Sequence, residues 1–397
     1  MISNRQLFLQ YIAQTSDFPL MLEVERAEGI FLYDPRGKEY IDLIAGVSVS
    51  NLGHRHPAVV KAVKEQADKH MHLMVYGEYV QAPQIRLAAL LASQMPGNLN
   101  SVFFVNSGSE ATEGALKLAK RYTGKPEIVA FKNAYHGSTQ GALSIIGSEA
   151  YSNAFRPLLP GIRHLDFNDH SQLEQISVNT ACVVIEPIQA EAGVVVPAKG
   201  FLQKLRRKCD ETGALLIFDE AQTGFGRTGS LFAFRQYEVI PDILLLAKSL
   251  GGGLPLGAFI ASGELMSAFR NNPSLGHITT FGGHPLSCAA GLAALQVLLD
   301  SPLTDEVPEK EQIIRDCLSG PPVREIRGKG LLLAVQLDNH EQVNKVISRA
   351  LEEGIVLDWF LFCDSALRIA PPLIITVEQL REVCDRLRNI ITAVSGS

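Results

Sequence analysis

Two charged residues end two short apolar runs in the middle of the sequence. The first run, Leu215–Phe218, is followed by Asp219. The second run, Ile243–Ala247, is followed by Lys248. Short, continuous apolar runs of this kind are typical of central strands in a parallel sheet. Because ligands of open α/β sheets bind outside the carboxyl ends of such strands, we expect Asp219 and Lys248 to meet at one ligand-binding edge.

This pair of residue types suits one kind of cofactor chemistry. A lysine that is desolvated on its strand side can lose its proton and become a nucleophile. A lysine that forms a Schiff base, together with an ionised aspartate on the ring nitrogen, is the arrangement that holds pyridoxal phosphate (PLP). Taken singly, each residue has a simpler explanation, since strand-end aspartates often cap turns and lysines often end strands in solvent. The pair therefore favours PLP only if the chain also provides a phosphate site.

A phosphate site is predicted at Ser107, Gly108 and Ser109. These residues stand between an apolar run and a helical pattern, Ala111–Arg121. The free N–H groups and the dipole of a helix N-terminus attract anions, and a glycine between two serines lets a phosphate approach the backbone closely. The alternative is an ordinary capping box between Ser107 and Glu110.

Two further predicted strands lead to polar or aromatic residues. The strand Ile128–Phe131 is followed after a turn by Tyr135, whose ring could stack on a planar ligand or could cap the core. Another strand, Cys182–Ile185, is followed within six positions by three polar side chains, Glu186, Gln189 and Glu191. Polar side chains thus follow this strand as well.

The order of the elements predicts an α/β fold with a large domain and a smaller C-terminal one. Residues 1–46 are expected to form an N-terminal arm, a kind of segment that commonly packs on a partner subunit. Residues 47–300 are expected to form a large domain with a mostly parallel central sheet sandwiched by helices. Prolines and charges at Ser301–Lys310 indicate a linker, after which residues 301–397 form a small α/β domain.

Several shorter patterns give local predictions. Leu20–Glu25 and Ile355–Trp359 each have the pattern of one strand. His54 and His56 have a spacing that metal ligands can use, but no carboxylate or cysteine stands at a supporting spacing. We therefore expect a turn there, before a helix that begins at Pro57, and no metal site.

The composition of the 397-residue chain is that of an ordinary globular protein, with 46% hydrophobic and 20% charged residues. Its formal net charge of −6 and its lack of long basic runs argue against nucleic-acid binding. The six cysteines show no C-x-x-C spacing, which argues against a disulfide framework or a zinc site. The first residues lack the apolar stretch of a signal peptide, and no apolar run approaches the roughly 18 residues of a membrane span. We therefore expect a cytoplasmic protein without a membrane partner.

Five motifs give the sequence a family resemblance. They are VFFVNSGSEATEGALKLA, IEPIQAEAGVVVP, LLIFDEAQTGFGRTG, AKSLGGGLPLGA and TTFGGHPLSCAAG. With them the sequence resembles the class III (ω-amino) aminotransferases, which are PLP enzymes of fold type I, and within them the acetylornithine/ornithine aminotransferase subgroup. The resemblance covers the chain from about residue 20 to the C-terminal helix, with the motifs in the family's order. It implies the PLP-dependent transferase fold, a homodimer that shares its active site across the interface, and transfer of a terminal amino group to 2-oxoglutarate.

The resemblance also implies roles around the cofactor ring. Lys248 would form the Schiff base with PLP and would carry the proton during the reaction. Asp219 would pair with the pyridine nitrogen and keep it protonated. Tyr135 would stack on the ring face, Gln222 would lie near the ring hydroxyl, and Glu186 would orient the hydrogen bonds near Asp219.

The cofactor's phosphate is expected to have two sources of contacts. Ser107, Gly108 and Ser109 would hold it at the helix N-terminus. Thr280 would reach the same phosphate from the neighbouring subunit. His136, next to the stacking tyrosine, is also expected to contact the cofactor.

The substrate would be bound by an arginine and a glutamate that act as a switch. Arg368, in the sequence LRIAPP, would bind the α-carboxylate of glutamate and 2-oxoglutarate, and Glu191 would pair with it when an ω-amine occupies the pocket. Ser138 stands where the ornithine-type pattern has an arginine for the substrate's other carboxylate, and His284 stands where family members often have asparagine. A diamine or ω-amino acid donor, pyruvate as acceptor, and a PLP aminomutase or lyase reaction therefore stay open as alternatives. Retention of both Glu191 and Arg368 favours transamination.

Overall fold

A computed structural model describes residues 2–396 of the chain. Helices and strands alternate through most of it, as the sequence predicts for an α/β protein. The strands, β1 to β15 in chain order, are Arg26–Glu28, Phe31–Tyr33, Glu39–Asp42, Ser101–Val105, Glu127–Phe131, Ile162–Leu165, Thr180–Ile185, Leu215–Asp219, Ile243–Leu246, Gly257–Ala261, Glu325–Lys329, Leu332–Gln336, Ile355–Val356, Asp358–Phe360 and Cys363–Ile369. The helices, α1 to α13, are Asn4–Tyr11, Ala45–Ser48, Pro57–Ala67, Ala82–Ser93, Gly108–Thr123, Gln140–Ser144, Glu149–Ser152, Phe201–Thr212, Gly263–Ser267, Pro285–Leu299, Val307–Leu318, His340–Glu352 and Val377–Ser395.

The largest sheet has the strand order β4-β10-β9-β8-β7-β5-β6. The neighbouring pairs from β9 to β6 are parallel, whereas β10 runs antiparallel to both β9 and β4. The chain turns back from β9 into β10 through Gly252 and Gly253, whose φ values of 60° and 102° favour glycine. The predicted mostly parallel central sheet is thus confirmed.

Helices cover both faces of this sheet. β7 and β9 are buried along their whole length. Alternate residues of β8 face opposite sides, so that Ile217 packs in a cluster with helix α5, and Leu216 and Phe218 pack in a cluster with helix α8. Burial on both faces is why these strands read as continuous apolar runs in the sequence.

The parallel strands deliver two charged residues to one edge of the sheet. Asp219 is the last residue of β8, where it lies opposite Leu245 of β9. Lys248 follows the end of β9 by two residues and begins a short 3₁₀ turn, Lys248–Gly251. The predicted meeting of Asp219 and Lys248 at the carboxyl edge of adjacent strands is therefore confirmed.

Two smaller sheets are formed by strands that precede or follow those of the large sheet in the sequence. The sheet β11-β12-β15-β14 lies in the C-terminal part and carries Arg368 on β15. The sheet β1-β2-β3-β13 joins strands near the N-terminus to a strand near the C-terminus, with Ile41 of β3 opposite Ile355 of β13. The N-terminal segment therefore pairs with the C-terminal part of the chain. The domain boundaries near residues 46 and 300 stay predictions.

Two local predictions near the chain's first sheet have different outcomes. The strand prediction for Leu20–Glu25 is wrong, because the first strand begins only at Arg26 and both Leu20 and Val24 are exposed. An alternating pattern alone does not supply a partner strand. The helix predicted to begin at Pro57 is confirmed, and the His54 ring in front of it pairs with a carboxylate, that of Asp42, at 2.9 Å.

Two segments in the C-terminal part have more structure, or a different structure, than the sequence indicates. Ser301–Lys310, predicted to be a linker, contains a 3₁₀ turn and the first turn of α11, and its role as a linker stays a prediction. Pro308 fits in that first turn because the N–H groups there have no partners within the helix. The single strand predicted at Ile355–Trp359 is divided between β13 and β14, which belong to different sheets.

Among residues 2–396, no single helix is long and apolar enough to cross a membrane. One stretch, Pro285–Leu299 with Pro302–Leu318, has sufficient length and apolar character only when two helices are joined across a bend of 69°.

Candidate active site

A cavity of about 410 Å³ opens at the carboxyl edge of the large sheet. The loops that follow β4, β5, β7, β8 and β9 all contribute to its lining, as expected where parallel strands end together. Nine of the residues that the sequence singles out line it: Ser107, Gly108, Ser109, Tyr135, His136, Glu186, Asp219, Gln222 and Lys248.

Asp219 is held by a buried histidine. Nδ1 of His136 donates a hydrogen bond to Oδ2 of Asp219 at 2.8 Å, and the backbone N–H of Ala221 donates to Oδ1 at 3.0 Å. Burial opposes a charged His136 ring, but the hydrogen bond and the charge of Asp219 outweigh that effect and raise the pKa of His136. Its Nε2 atom is buried without a hydrogen-bond partner among residues 2–396. The pair thus holds a carboxylate in a fixed orientation at the cavity wall.

Glu186 ties the loops after β5 and β7 together beside Asp219. Its Oε1 accepts a hydrogen bond from the backbone N–H of Tyr135 at 3.0 Å, and its Oε2 accepts one from the backbone N–H of Ala190 at 2.9 Å. Burial raises the pKa of Glu186 to about 7. These bonds also fix the backbone of Tyr135, whose half-buried side chain lines the cavity.

Lys248 lies in the cavity wall with an altered acidity. Burial lowers its pKa to about 8, although the carboxylate of Glu191 opposes this effect. The turn that carries it is anchored by Ser249, whose hydroxyl lies within hydrogen-bond distance of the carbonyl oxygens of Ser48 (2.8 Å) and Val49 (3.0 Å). A substantial fraction of Lys248 is therefore neutral near pH 8, as a nucleophilic lysine requires.

The N-terminus of helix α5 forms another part of the wall. Oγ of Ser107 accepts a hydrogen bond from the backbone N–H of Glu110 at 3.2 Å, so Ser107 caps the helix. The reciprocal half of a capping box is absent at this helix start, because the Glu110 carboxylate accepts from the backbone N–H of Asn106 instead (2.8 Å). The first N–H groups of a helix have no partners within it. The backbone at Gly108 and its neighbours can therefore bind an anion in addition to the cap.

A glycine brings the loop after β5 against this helix start. Gly137 has a φ of 123°, and a Cβ atom added there would clash with Oγ of Ser109. The next residue, Ser138, donates its backbone N–H to the same oxygen at 3.1 Å. Only a glycine allows this close approach.

Four residues predicted to bind ligands lie outside the cavity lining: Ser138, Thr280, Glu191 and Arg368. The Ser138 side chain is exposed beside Ser109. Thr280 is also exposed, and its neighbour Thr279 accepts a hydrogen bond from Nδ2 of Asn106 at 3.0 Å. The predicted contact of Thr280 concerns a neighbouring subunit, so this role stays a prediction.

A buried charge network adjoins the cavity through Gln222. The two terminal nitrogens of Arg368 donate to the two carboxylate oxygens of Glu191, each at 3.0 Å. Nε2 of Gln222 donates to Oε1 of Glu191 at 2.8 Å. Burial opposes both charges, yet mutual attraction lowers the pKa of Glu191 and raises the pKa of Arg368. The ion pair is thus stable in its charged form next to the cavity.

Two residues near the site were missed at the level of sequence. Asp358, whose Oδ1 lies 3.0 Å from Nε of Arg368, falls in the segment where the sequence predicts a single strand. The hairpin that turns it back lacks a Gly, Asn or Asp signal at its Leu361–Phe362 turn, so the pairing could not be read from turn chemistry. Val49 lines the cavity at the end of α2, and an isolated valine carries no chemical signal.

Comparisons with known proteins give matches over nearly the whole chain. The model of the family "Aminotransferase class-III" matches residues 11–391. Acetylornithine aminotransferases of Methanopyrus kandleri and Methanosarcina mazei are each 42% identical to the chain; the first match covers 98% of the chain and 99% of the relative, and the second covers 96% and 94%. A structure of ornithine aminotransferase from Toxoplasma gondii, with partial occupancy of PLP at its active site, superposes with a TM-score of 0.91 at 34% identity, covering 98% of this chain and 93% of that one.

Proposed function

The chain belongs to the class-III aminotransferases, and from this premise we propose which substrates its cavity takes and which residues act on them. It is a PLP-dependent enzyme that acts on a terminal amino group. We propose that the donor is an amino acid of the acetylornithine or ornithine kind. The acceptor is 2-oxoglutarate, which becomes glutamate.

The cavity lining fits PLP in its chemistry. The phosphate needs an anion site, which the start of α5 at Ser107, Gly108 and Ser109 supplies. The aldehyde needs a lysine that can lose its proton, and Lys248 has a lowered pKa. The ring nitrogen needs a fixed carboxylate, and Asp219 is fixed by His136. When bound, PLP draws electrons from the amine-bearing carbon.

Each of these side chains has a distinct task in the proposed mechanism. Lys248 would hold the cofactor through Nζ and, with a substrate amine in its place, would move a proton from the amine-bearing carbon to the cofactor. Asp219 supplies the negative charge that keeps the ring nitrogen protonated, while Tyr135 covers a ring face and excludes water. Glu186 and Gln222 orient the hydrogen bonds around the ring.

The observation that carries the choice of substrates is the buried pair of Glu191 and Arg368. The acceptor 2-oxoglutarate needs a cation for its α-carboxylate, and Arg368 offers two parallel donors for one. A donor that presents a terminal amine has no charge for that arginine, so its cation must be neutralised from within the protein. Glu191 does this at 3.0 Å through both oxygens. The pair thus suits an enzyme that alternates between the two kinds of substrate.

A donor screen tests this proposal. Holoenzyme is incubated with 2-oxoglutarate and, separately, N-acetylornithine, ornithine, a diamine and an ω-amino acid, and the glutamate formed is measured. We expect the largest kcat/KM with N-acetylornithine. If no donor yields glutamate, 2-oxoglutarate is not the acceptor. Repeating the screen with pyruvate then tests the alternative acceptor. Release of ammonia without any acceptor would instead indicate a lyase.

A diamine is the second candidate donor, and Ser138 is the observation that favours it. Its side chain is exposed next to the start of α5 and provides no positive charge for a second substrate carboxylate. A donor without that carboxylate loses nothing at this position. Replacing Ser138 by arginine should therefore favour ornithine over a diamine in the same screen.

We also propose a homodimer and a cytoplasmic location. The exposed Thr280 lies between Ile278 and Phe281, whose apolar side chains are about half exposed in the single chain, and such a surface suits a second copy. The molar mass from light scattering checks the dimer. The six cysteines, all within the described residues, are free thiols, which suits a reducing compartment.

A further inference from the structure

A second carboxylate lies against the arginine of the proposed carboxylate site. We propose that Asp358 is a positioning residue, which holds and neutralises the guanidinium of Arg368 while Glu191 gives way to the substrate's carboxylate. This inference rests on the proposed function, in which Arg368 binds that carboxylate. It adds a third member to a network that the sequence presents as a pair.

The position of Asp358 is set by the register of a sheet. Strands β14 and β15 are antiparallel, and Asp358 lies directly opposite Arg368 in their pairing. Opposite charges at such positions attract each other across the two strands. Oδ1 of Asp358 lies 3.0 Å from Nε of Arg368, so the contact follows from the backbone arrangement.

Glu191 and Asp358 contact different atoms of the same guanidinium. Glu191 accepts from both terminal nitrogens, which are the two donors that a substrate carboxylate would need. Asp358 lies at Nε, and within residues 2–396 neither this nitrogen nor Oδ1 has a well-directed hydrogen bond. Asp358 therefore acts through its charge and does not compete for the two terminal donors.

Arg368 has further supports: Oε1 of Gln222 accepts from one terminal nitrogen at 3.4 Å, and two contacts come from its own hairpin. One terminal nitrogen donates to the carbonyl oxygen of Trp359 at 3.1 Å, and the guanidinium carbon lies 4.6 Å from the centre of the Phe360 ring. Neither contact involves Glu191. The guanidinium can therefore keep its orientation when the glutamate leaves.

The hairpin itself is anchored independently of the Glu191 carboxylate. The backbone N–H of Phe362 donates to the backbone carbonyl of Glu191 at 3.0 Å, and the Tyr151 hydroxyl donates to the carbonyl of Leu361 at 3.0 Å. Among these backbone bonds of the hairpin, the one from the Leu361 N–H to Oε2 of Glu191, at 3.1 Å, breaks when that side chain moves. The strand that carries Asp358 is thus held in both states of the switch.

Charge compensation decides whether the switch can operate. Removing one partner of a buried ion pair is strongly unfavourable because the other charge is left without compensation. Burial raises the pKa of Asp358 to about 6, while Arg368 opposes that rise, so Asp358 is ionised at neutral pH. With Asp358 at Nε, Arg368 always has a counter-charge, including the interval between the departure of Glu191 and the arrival of substrate.

Asp358→Asn tests the proposal, because it keeps the shape of the side chain and removes its charge. Holoenzyme that has received an amino group from a donor is mixed with 2-oxoglutarate or with butanal, an acceptor without a carboxylate. We expect kcat/KM for 2-oxoglutarate to fall about tenfold and that for butanal to change by less than about twofold. The association rate of glutarate, which binds without reacting, should fall in the same proportion. Asp358→Glu should recover part of the loss.

A matched control is Asp338→Asn, which removes a similar aspartate that pairs with Arg324 in the C-terminal part of the chain. It should leave kcat/KM for both acceptors and the association rate of glutarate unchanged. If Asp358→Asn lowers kcat/KM equally for both acceptors, or lowers the melting temperature without a difference in kcat/KM between the acceptors, Asp358 has a structural role only and the proposal is wrong. Unchanged rates with both acceptors also overturn it. If the unmodified enzyme transfers its amino group to butanal but not to 2-oxoglutarate, the proposed acceptor is wrong instead.

Discussion

The cavity and the proposed carboxylate site beside it are built in different ways. The cavity is assembled where the parallel strands of one sheet end, with Asp219 on β8 and Lys248 just after β9. The carboxylate site joins Glu191, from a loop after β7, to Arg368 on a strand of another sheet. One site depends on local strand ends, whereas the other depends on how two parts of the chain pack together.

The charges of the two sites also behave differently. Asp219 is fixed by hydrogen bonds from a histidine and a backbone N–H, and the proposed reaction does not require either bond to break. In the proposed mechanism, Glu191 releases the arginine that it holds through both oxygens, and Asp358 stays in place as a counter-charge. The comparison suggests a preorganised site for the chemistry and an exchangeable site for substrate choice. Variants in the first should affect all substrates alike, and variants in the second should separate them.

The largest expected effect is that of Lys248→Ala. Without the amine that binds the cofactor and carries the proton, transfer from every donor should fall by at least about 10³-fold. The cofactor adduct that borohydride fixes on the protein should also disappear, which mass spectrometry checks. Lys132→Ala is the matched control, because Lys132 also follows a strand of the large sheet but is exposed and paired with Asp166. A reducible adduct that persists in Lys248→Ala would remove this residue from the mechanism.

The second prediction concerns the stability of the cofactor-free protein. The pKa of Lys248 falls from 10.5 to about 8 on folding because of burial, so the folded state binds fewer protons between these values. The cost of burying the charge is therefore fully present below pH 8 and is relieved as the pH rises toward 10.5. Lys248→Met should raise the free energy of unfolding by up to about 3 kcal/mol below pH 8, and the difference should shrink at higher pH. Denaturant unfolding of both proteins across this range measures it, and a pH-independent difference would contradict the lowered pKa.

The cavity could be predicted from the sequence because its information is local. Apolar runs that end in one charged residue, a serine-glycine-serine helix start and an aromatic after a strand each mark a strand end of the same sheet. Parallel topology then brings those ends together without further information. Asp219, Lys248 and the start of α5 consequently line one cavity, as expected.

The carboxylate site could be predicted only in part. Arg368 and Glu191 were identified through family resemblance, and their packing against each other depends on tertiary contacts between distant segments. Asp358 was missed because the break between β13 and β14, which moves it into the sheet of Arg368, has no glycine or proline to mark it. The pairing of the N-terminal β3 with β13 is equally invisible, since the two strands are separated by most of the chain. In each case, pairing between distant segments is what the sequence alone could not predict.

The smallest expected effect is that of Glu191→Gln, which tests whether the proposed carboxylate site distinguishes between substrates. The amide can still accept a hydrogen bond from Arg368 but no longer neutralises it, so a donor carboxylate becomes a better partner for the guanidinium. The ratio of kcat/KM for glutamate to kcat/KM for a terminal-amine donor should rise about tenfold, measured in the first half-reaction. Glu311→Gln is the matched control, because Glu311 pairs with Arg315 within helix α11, apart from Arg368 and from the residues that line the cavity, and it should leave the ratio unchanged. An equal loss with both donors would make Glu191 part of the preorganised site and would remove the distinction between the two regions.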